Sequence, residues 1–220
     1  MLSARIILLP VLIFVTAFSA QAQKPAAKDW SIADYFKNLP EKYITTQGDF
    51  AQPSAETLVV DEKNGYAAQM DSPPGGNFEP FPVFEMALFK SQRKPPLLIV
   101  ANRKSDSVCT EYETFFLVQI DSKWAVVKRD VLPPLELKMF WDKPQMAARF
   151  LKIVKRDNPT TYHFELPRKG TRVKVSLEIC DQFLEVTPIG QVDELEKIIK
   201  SVKPIYLEWD KQNGKFKFAK

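Results

Sequence analysis

The sequence predicts an α+β fold that consists mainly of antiparallel β-sheet with a few short helices. Several segments alternate apolar and polar residues with a period of two, which is typical of half-buried antiparallel strands. Asn-Gly pairs at 64–65 and 213–214 separate such segments, at positions where hairpin turns require positive φ. The 17 prolines and 7 glycines indicate many strand ends and stiff loops rather than flexible linkers.

A short helix is predicted first, beginning after Ser31. The Ser31 side chain can cap the helix, and Asp34 stands three residues later in the capping-box position. Ile32 and Tyr35 then share one helical face, and Pro40 ends the element.

Strands are predicted over the next part of the chain, with a long turn-rich loop at residues 71–82. In the later strands apolar residues occur at both odd and even positions, so they lie on both faces of each strand. These strands should therefore be buried on both faces, in a sandwich, a closed barrel or a sheet backed by helix. The predicted strands are residues 57–60, 66–70, 83–90, 97–102, 114–120 and 123–127.

Pro133-Pro134 marks a break in the pattern, and the residues that follow predict two short helices, the second beginning at Pro144. Alternation then returns, and the chain ends in a hairpin. The further predicted elements are strands at 161–166, 173–180 and 183–186, a helix at 192–200, and paired strands at 205–209 and 216–218. We predict one α+β domain over residues 31–220, with 133–134 as the place where two subdomains would divide.

The N-terminus has the pattern of a cleaved signal peptide. Arg5 precedes an apolar run over residues 6–18, and Ala20-Gln21-Ala22 has the small-x-small pattern before a cut at Gln23. Residues 1–22 are therefore predicted to be removed and residues 23–30 to form a flexible leader. About 20 apolar residues are needed to cross a membrane as a helix, and no later run is that long. We expect an exported, soluble chain in the periplasm or outside the cell.

The two cysteines, Cys109 and Cys180, are predicted to form a disulfide, because an even cysteine count in an exported chain favours pairing. The alternative is a nucleophilic thiol working with His163, the only histidine. Acidic neighbours such as Glu111 and Asp181 would raise a thiol pKa and oppose that role.

Composition and motifs exclude several function classes. With one histidine and two paired cysteines, no zinc ligand pattern or EF-type calcium loop is present. No glycine-rich dinucleotide or phosphate loop occurs, so no cofactor is predicted. The formal net charge is +4, with 31 basic and 27 acidic residues interspersed along the chain. Nucleic-acid binding is therefore not predicted, and the lysines between Lys200 and Lys220 are interpreted as a solubilising edge.

His163 and Glu165 are the candidate catalytic residues, because positions i and i+2 of a strand share one face and could form a general acid–base pair. The structural alternative is that both are ordinary side chains on the solvent face of a strand. Phe78 and Phe81, in the Pro/Gly-rich loop, are the candidate binding residues.

Three short features occur together in this sequence. They are Asn64-Gly65-Tyr66 after a strand, Trp124 in the hairpin that starts at Asp121, and the ending Leu207-Glu208-Trp209-Asp210 before Gly214-Lys215-Phe216. Together they resemble uncharacterised exported bacterial proteins of about this length. The resemblance covers about a fifth of the chain. It implies a bacterial periplasmic or secreted location and carries no catalytic residue.

Three hypotheses on function follow. The first is a non-catalytic module that binds a protein, a peptide or a component of the cell envelope. The second is an envelope or secreted hydrolase that uses carboxylates or His163. The third is an inhibitor of a secreted enzyme, for which the proline-stiffened loop at 71–82 would be suited.

Overall fold

The computed structural model describes residues 30–44, 56–73, 79–105, 109–155, 160–180 and 182–220. Within these ranges the chain forms two antiparallel sheets and several short helices, which confirms the predicted α+β class with sheet predominating. The predicted signal peptide, including Ala20 and Ala22, the cleavage residue Gln23, and Phe78 of the predicted binding loop lie outside the described residues.

The first sheet is a six-stranded meander in which each strand pairs with the next one along the chain. Its strands are β1 (Leu58–Asp61), β2 (Tyr66–Met70), β3 (Pro82–Phe89), β4 (Leu97–Ser105), β5 (Thr110–Ile120) and β6 (Lys123–Val126). The β1–β2 turn ends at Gly65, whose φ of 66° is the conformation that the Asn-Gly pattern predicts.

The second sheet has four strands in the order β10-β9-β8-β7 and is also antiparallel throughout. Its strands are β7 (Thr160–Glu165), β8 (Arg172–Ile179), β9 (Ile205–Asp210) and β10 (Lys215–Phe218). The predicted C-terminal hairpin is confirmed, and its turn ends at Gly214 with φ of 60°.

The first helix, α1 (Ile32–Asn38), begins with the predicted capping box. The Asp34 N–H donates to Ser31 Oγ at 3.2 Å, and the Ser31 N–H donates to Asp34 Oδ2 at 2.9 Å. The other helices are α2 (Lys128–Val131), α3 (Gln145–Val154), α4 (Gln182–Val186) and α5 (Ile189–Lys200), with 3-10 turns at Glu41–Tyr43 and Leu137–Phe140.

Two secondary-structure predictions need correction. The strand predicted at 183–186 is wrong, because these residues form α4. Short apolar runs do not by themselves distinguish strand from helix, and here the run satisfies its backbone groups locally in a helical turn, with Phe183 buried. The last helix begins at Ile189 rather than at Val192.

The first sheet is buried on both faces, as its apolar residues predict. One face packs against the second sheet, α3 and α5, in a core that includes Phe116, Phe150, Phe164 and Leu195. The opposite face packs against α1, where Tyr35 and the strand residues around it form another core. The larger core thus takes residues from both sides of Pro133-Pro134.

Candidate functional site

The two sheets are linked covalently where β5 begins and β8 ends. Cys109 directly precedes β5, Cys180 directly follows β8, and the two form a disulfide with Cα atoms 5.1 Å apart. This is the pairing that the sequence predicts. The polar residues of both sheets that meet along this junction are called here the intersheet seam; they are Glu85, Arg103, Tyr112, His163, Glu165 and Glu178.

His163 lies in the seam between an aromatic ring and a carboxylate. Its ring stacks on Tyr112 of β5, with centroids 3.8 Å apart and an interplanar angle of 15°. Its Nδ1 is 3.5 Å from Glu178 Oε1 on β8, and only 20% of its side chain is exposed. The hydrogen bond from His163 is the main cause that lowers the pKa of Glu178. One face of the imidazole is thus covered by Tyr112, and its Nδ1 faces Glu178.

Glu165, the other candidate catalytic residue, belongs to a different group of contacts. Its Oε1 lies 2.6 Å from Lys174 Nζ and accepts a hydrogen bond from Ser176 Oγ at 3.1 Å. These partners come from β8, the strand paired with β7. The structure therefore gives His163 and Glu165 separate carboxylate or cation partners, as expected for paired residues on a sheet surface.

Glu85 is a seam residue that the sequence analysis missed. It is buried on β3, where its Oε2 accepts a hydrogen bond from Tyr66 OH at 3.0 Å and its Oε1 accepts one from the Leu166 N–H at 2.9 Å. Burial raises the pKa of Glu85 to about 7 against the effects of these two hydrogen bonds and of His163. In the sequence, this site could have been recognised because Glu85 is a carboxylate within an almost wholly apolar strand.

Phe81, the described member of the predicted binding pair, packs against the seam. The Arg103 guanidinium lies 3.9 Å from the centre of its ring, while 40% of Phe81 remains exposed. Its backbone closes the loop, because the Asp71 N–H donates to Phe81 O and the Phe81 N–H donates to Asp71 Oδ1, both at 3.0 Å. This end of the loop is therefore held to the sheet.

A surface cavity of about 500 Å³ lies on another part of the molecule, where the Pro133-Pro134 segment passes β7. Its lining combines aliphatic and proline side chains with two cations and one phenol. The lining residues are Lys128, Arg129, Leu132, Pro133, Pro134, Leu135 and Tyr162. We call it the proline cavity; it contains neither His163 nor Glu165.

Lys128 and Tyr162 of the proline cavity lie against aromatic rings, although Lys128 and Arg129 remain exposed at the surface. Burial lowers the pKa of Lys128, whose Nζ lies 5.9 Å from the centre of the Phe164 ring. Burial also raises the pKa of Tyr162, which stacks on Phe140 with centroids 5.5 Å apart.

Two other features are absent from the described ranges. No group of three or more His, Cys, Asp or Glu residues there is placed to hold a metal ion. Over the same residues, none of the helices is both long enough and apolar enough to span a bilayer.

Comparisons with known proteins give weak structural similarity and no family. No family model matches the sequence, and no curated protein matches it significantly. A domain of an uncharacterized protein from Porphyromonas gingivalis W83 is similar with a TM-score of 0.43 and 13% identity. The match covers 62% of this chain and 65% of that one, which is less than two thirds of its length.

Proposed function

We propose that this chain is an exported, non-catalytic binding module whose ligand is a small amphiphile with an aliphatic body and a carboxylate head. The observation that carries the proposal is the proline cavity, in which Leu132, Pro133 and Leu135 lie beside Lys128 and Arg129. Ligand sites are typically apolar concavities with a few polar groups that fix orientation.

The lining of the proline cavity matches this ligand in both polarity and charge. The aliphatic and proline side chains would cover a hydrocarbon chain, which gains free energy as it leaves water. Lys128 and Arg129 supply two positive charges, and no carboxylate from the described part of the chain lines the cavity. An anionic head group would pair with both cations, and Tyr162 can donate a further hydrogen bond to it.

A hydrolase is less well supported, because the candidate catalytic residues have structural partners. His163 is stacked on Tyr112 and faces Glu178, while Glu165 is bound by Lys174 and Ser176. A general base must reach the proton that it abstracts, and neither residue lines the proline cavity.

Export is proposed from the signal pattern together with the disulfide. Disulfides persist in oxidising compartments, and the pair of Cys109 and Cys180 suits such a location. When the full chain is expressed in a bacterium with an outer membrane, the periplasmic fraction should contain a protein that begins at Gln23, as read by intact mass and N-terminal sequencing. Full-length protein retained in the cytoplasm would contradict export.

The ligand proposal is tested by titrating the mature chain with dodecanoate and with dodecanol, both below micellar concentrations, by isothermal calorimetry. Dodecanoate should bind saturably, and dodecanol about tenfold more weakly, because it lacks the charge that Lys128 and Arg129 attract. Lys128→Gln should remove most of this preference, and Leu132→Gln should weaken both ligands. The matched control is Lys197→Gln, which removes an exposed cation from α5.

Two results would overturn the ligand proposal. One is the absence of saturable dodecanoate binding to a folded chain. The other is binding that Lys128→Gln and Lys197→Gln weaken equally, since this would reflect net charge alone. If dodecanoate does not bind but a peptide does that ends in an apolar residue with a free carboxylate, the ligand is a peptide and not an aliphatic amphiphile.

A further inference from the structure

Two loops that are far apart in sequence are packed together at one end of the second sheet. The link between β3 and β4 lies against the β9–β10 turn, where the Gln92 N–H donates to Lys211 O at 3.0 Å. Trp209 Nε1 donates to Lys90 O at 2.8 Å. A Cβ placed on Gly214 would lie 3.0 Å from both Lys94 Cδ and Ser91 Oγ, so the turn backbone lies close against these two side chains.

This packing brings basic side chains to one concave surface, here called the hairpin cavity. It has a volume of about 570 Å³, and its charged lining consists of Arg93, Lys94, Lys215 and Lys217 with the single carboxylate Asp210. All four cationic residues are exposed. Four like charges that converge in this way repel one another, so the surface is an attractive site for anions.

The carboxylates nearby offset these four cations only in part: Asp210 interacts electrostatically with Lys217 but forms no ion pair with it within the described residues. The Asp210 carboxylate stabilises the β9–β10 turn. Its Oδ1 accepts hydrogen bonds from the Gln212 and Asn213 N–H groups at 3.0 and 3.2 Å, and its Oδ2 accepts one from Asn213 Nδ2 at 2.9 Å. Glu208, which is opposite Lys217 in the β9–β10 register, pairs instead with Arg172 at 3.3 Å.

Some cations elsewhere on the surface have acidic partners. Lys104 pairs with Glu113 at 3.1 Å, and Lys200 pairs with Glu196 at 2.7 Å. Across the described ranges, by contrast, no ion pair joins Arg93, Lys94, Lys215 or Lys217 to a carboxylate. Their positive charge is therefore available to a ligand.

We propose that the hairpin cavity binds a small soluble anion that carries two or more phosphate groups. Four cations call for several negative charges, and each phosphate supplies between one and two at neutral pH. The Arg93 guanidinium can hold phosphate oxygens in a bidentate manner, and the lysines act as point charges. The one aromatic residue of the lining, Phe216, is only 5% exposed. The cavity thus offers no apolar side chain for insertion into a membrane, which favours a soluble ligand.

The proposal is independent of the amphiphile site. The hairpin cavity and the proline cavity share no lining residue. The C-terminal lysines were predicted to form a solubilising edge. Under this proposal Lys215 and Lys217 instead bind a ligand together with Arg93 and Lys94, which come from a distant part of the chain.

The test is calorimetric titration of the mature chain with tripolyphosphate and with orthophosphate. Tripolyphosphate should bind saturably and about tenfold or more tightly than orthophosphate, with an affinity that falls as salt rises. Arg93→Gln/Lys94→Gln should weaken tripolyphosphate by about tenfold or more. Lys152→Gln/Lys197→Gln, which removes two exposed cations from α3 and α5, is the matched control and should have little effect.

All four substituted positions are exposed, and unchanged circular dichroism and melting temperature would show that the variants fold. The proposal is overturned if tripolyphosphate does not bind, or if the control variant loses as much affinity as Arg93→Gln/Lys94→Gln. It is also overturned if the chain binds phosphatidylglycerol vesicles but not tripolyphosphate, because the ligand would then be a lipid surface.

Discussion

The ring of Tyr112 on β5 lies parallel to the ring of His163 on β7, with centroids 3.8 Å apart. The two strands belong to different sheets, so this stack closes the junction that the disulfide between Cys109 and Cys180 links covalently. The only histidine of the chain therefore holds two layers of the fold together, and we assign it a structural role.

Two substitutions separate the stacking of His163 from its pairing with Glu178. His163→Ala removes both and should lower the free energy of unfolding by about 2 kcal/mol, whereas His163→Phe retains a ring and should cost about 1 kcal/mol or less. Urea denaturation at pH 7 measures both values. Equal losses in the two variants would contradict a contribution from the stack.

Glu85 should make stability depend on pH. Its pKa rises from 4.5 to about 7 on folding because it is buried, so the folded chain holds a proton that the unfolded chain releases. The resulting stabilisation is complete below about pH 4.5 and is lost as the pH rises through about 7.

Glu85→Gln, which is neutral at every pH, should therefore gain stability relative to wild type over this range, by a total on the order of 3 kcal/mol. The measurement is urea denaturation of both proteins between pH 4 and 8. The two proteins differ only at residue 85, so the difference between their curves reports the effect of the Glu85 charge. Parallel stability curves would show that Glu85 does not titrate in this way.

The turn glycine Gly214 should be sensitive to a side chain. At φ of 60° an alanine is strained, and its Cβ would lie 3.0 Å from Lys94 and Ser91. We expect Gly214→Ala to lower the free energy of unfolding by about 1–2 kcal/mol. Gly190, in α5, is the control, because a Cβ there meets nothing within 4 Å, and Gly190→Ala should be neutral or slightly stabilising. A Gly214→Ala variant as stable as wild type would contradict the close approach of the two loops.

The disulfide can be detected by mass and by stability. Alkylation of denatured, unreduced mature protein should add no adduct, and alkylation after reduction should add two, at Cys109 and Cys180. Because the bond joins residues 71 positions apart, its removal in Cys109→Ala/Cys180→Ala should cost about 4 kcal/mol through the entropy of the unfolded chain. Two adducts without reduction would disprove the bond.

The local elements of this fold were predictable because short-range chemistry determines them. The capping box of Ser31 and Asp34 and the Asn-Gly turn at Gly65 depend on residues a few positions apart, and both occur as predicted. The same logic failed at Phe183, where a short apolar run that was predicted as a strand forms α4, because such runs fit a strand or a buried helical turn equally well.

The sequence by itself determined the fold class, the hairpins and the cysteine pair, since alternation, turn residues and an even cysteine count are visible along the chain. Only the tertiary structure decided which side chains meet. It placed Tyr112 on His163, buried Glu85 beneath Leu166, and brought Lys94 to Lys215. The members of each pair come from strands or loops that belong to different sheets. Their positions depend on how the sheets pack through the shared core, which no short stretch of sequence encodes.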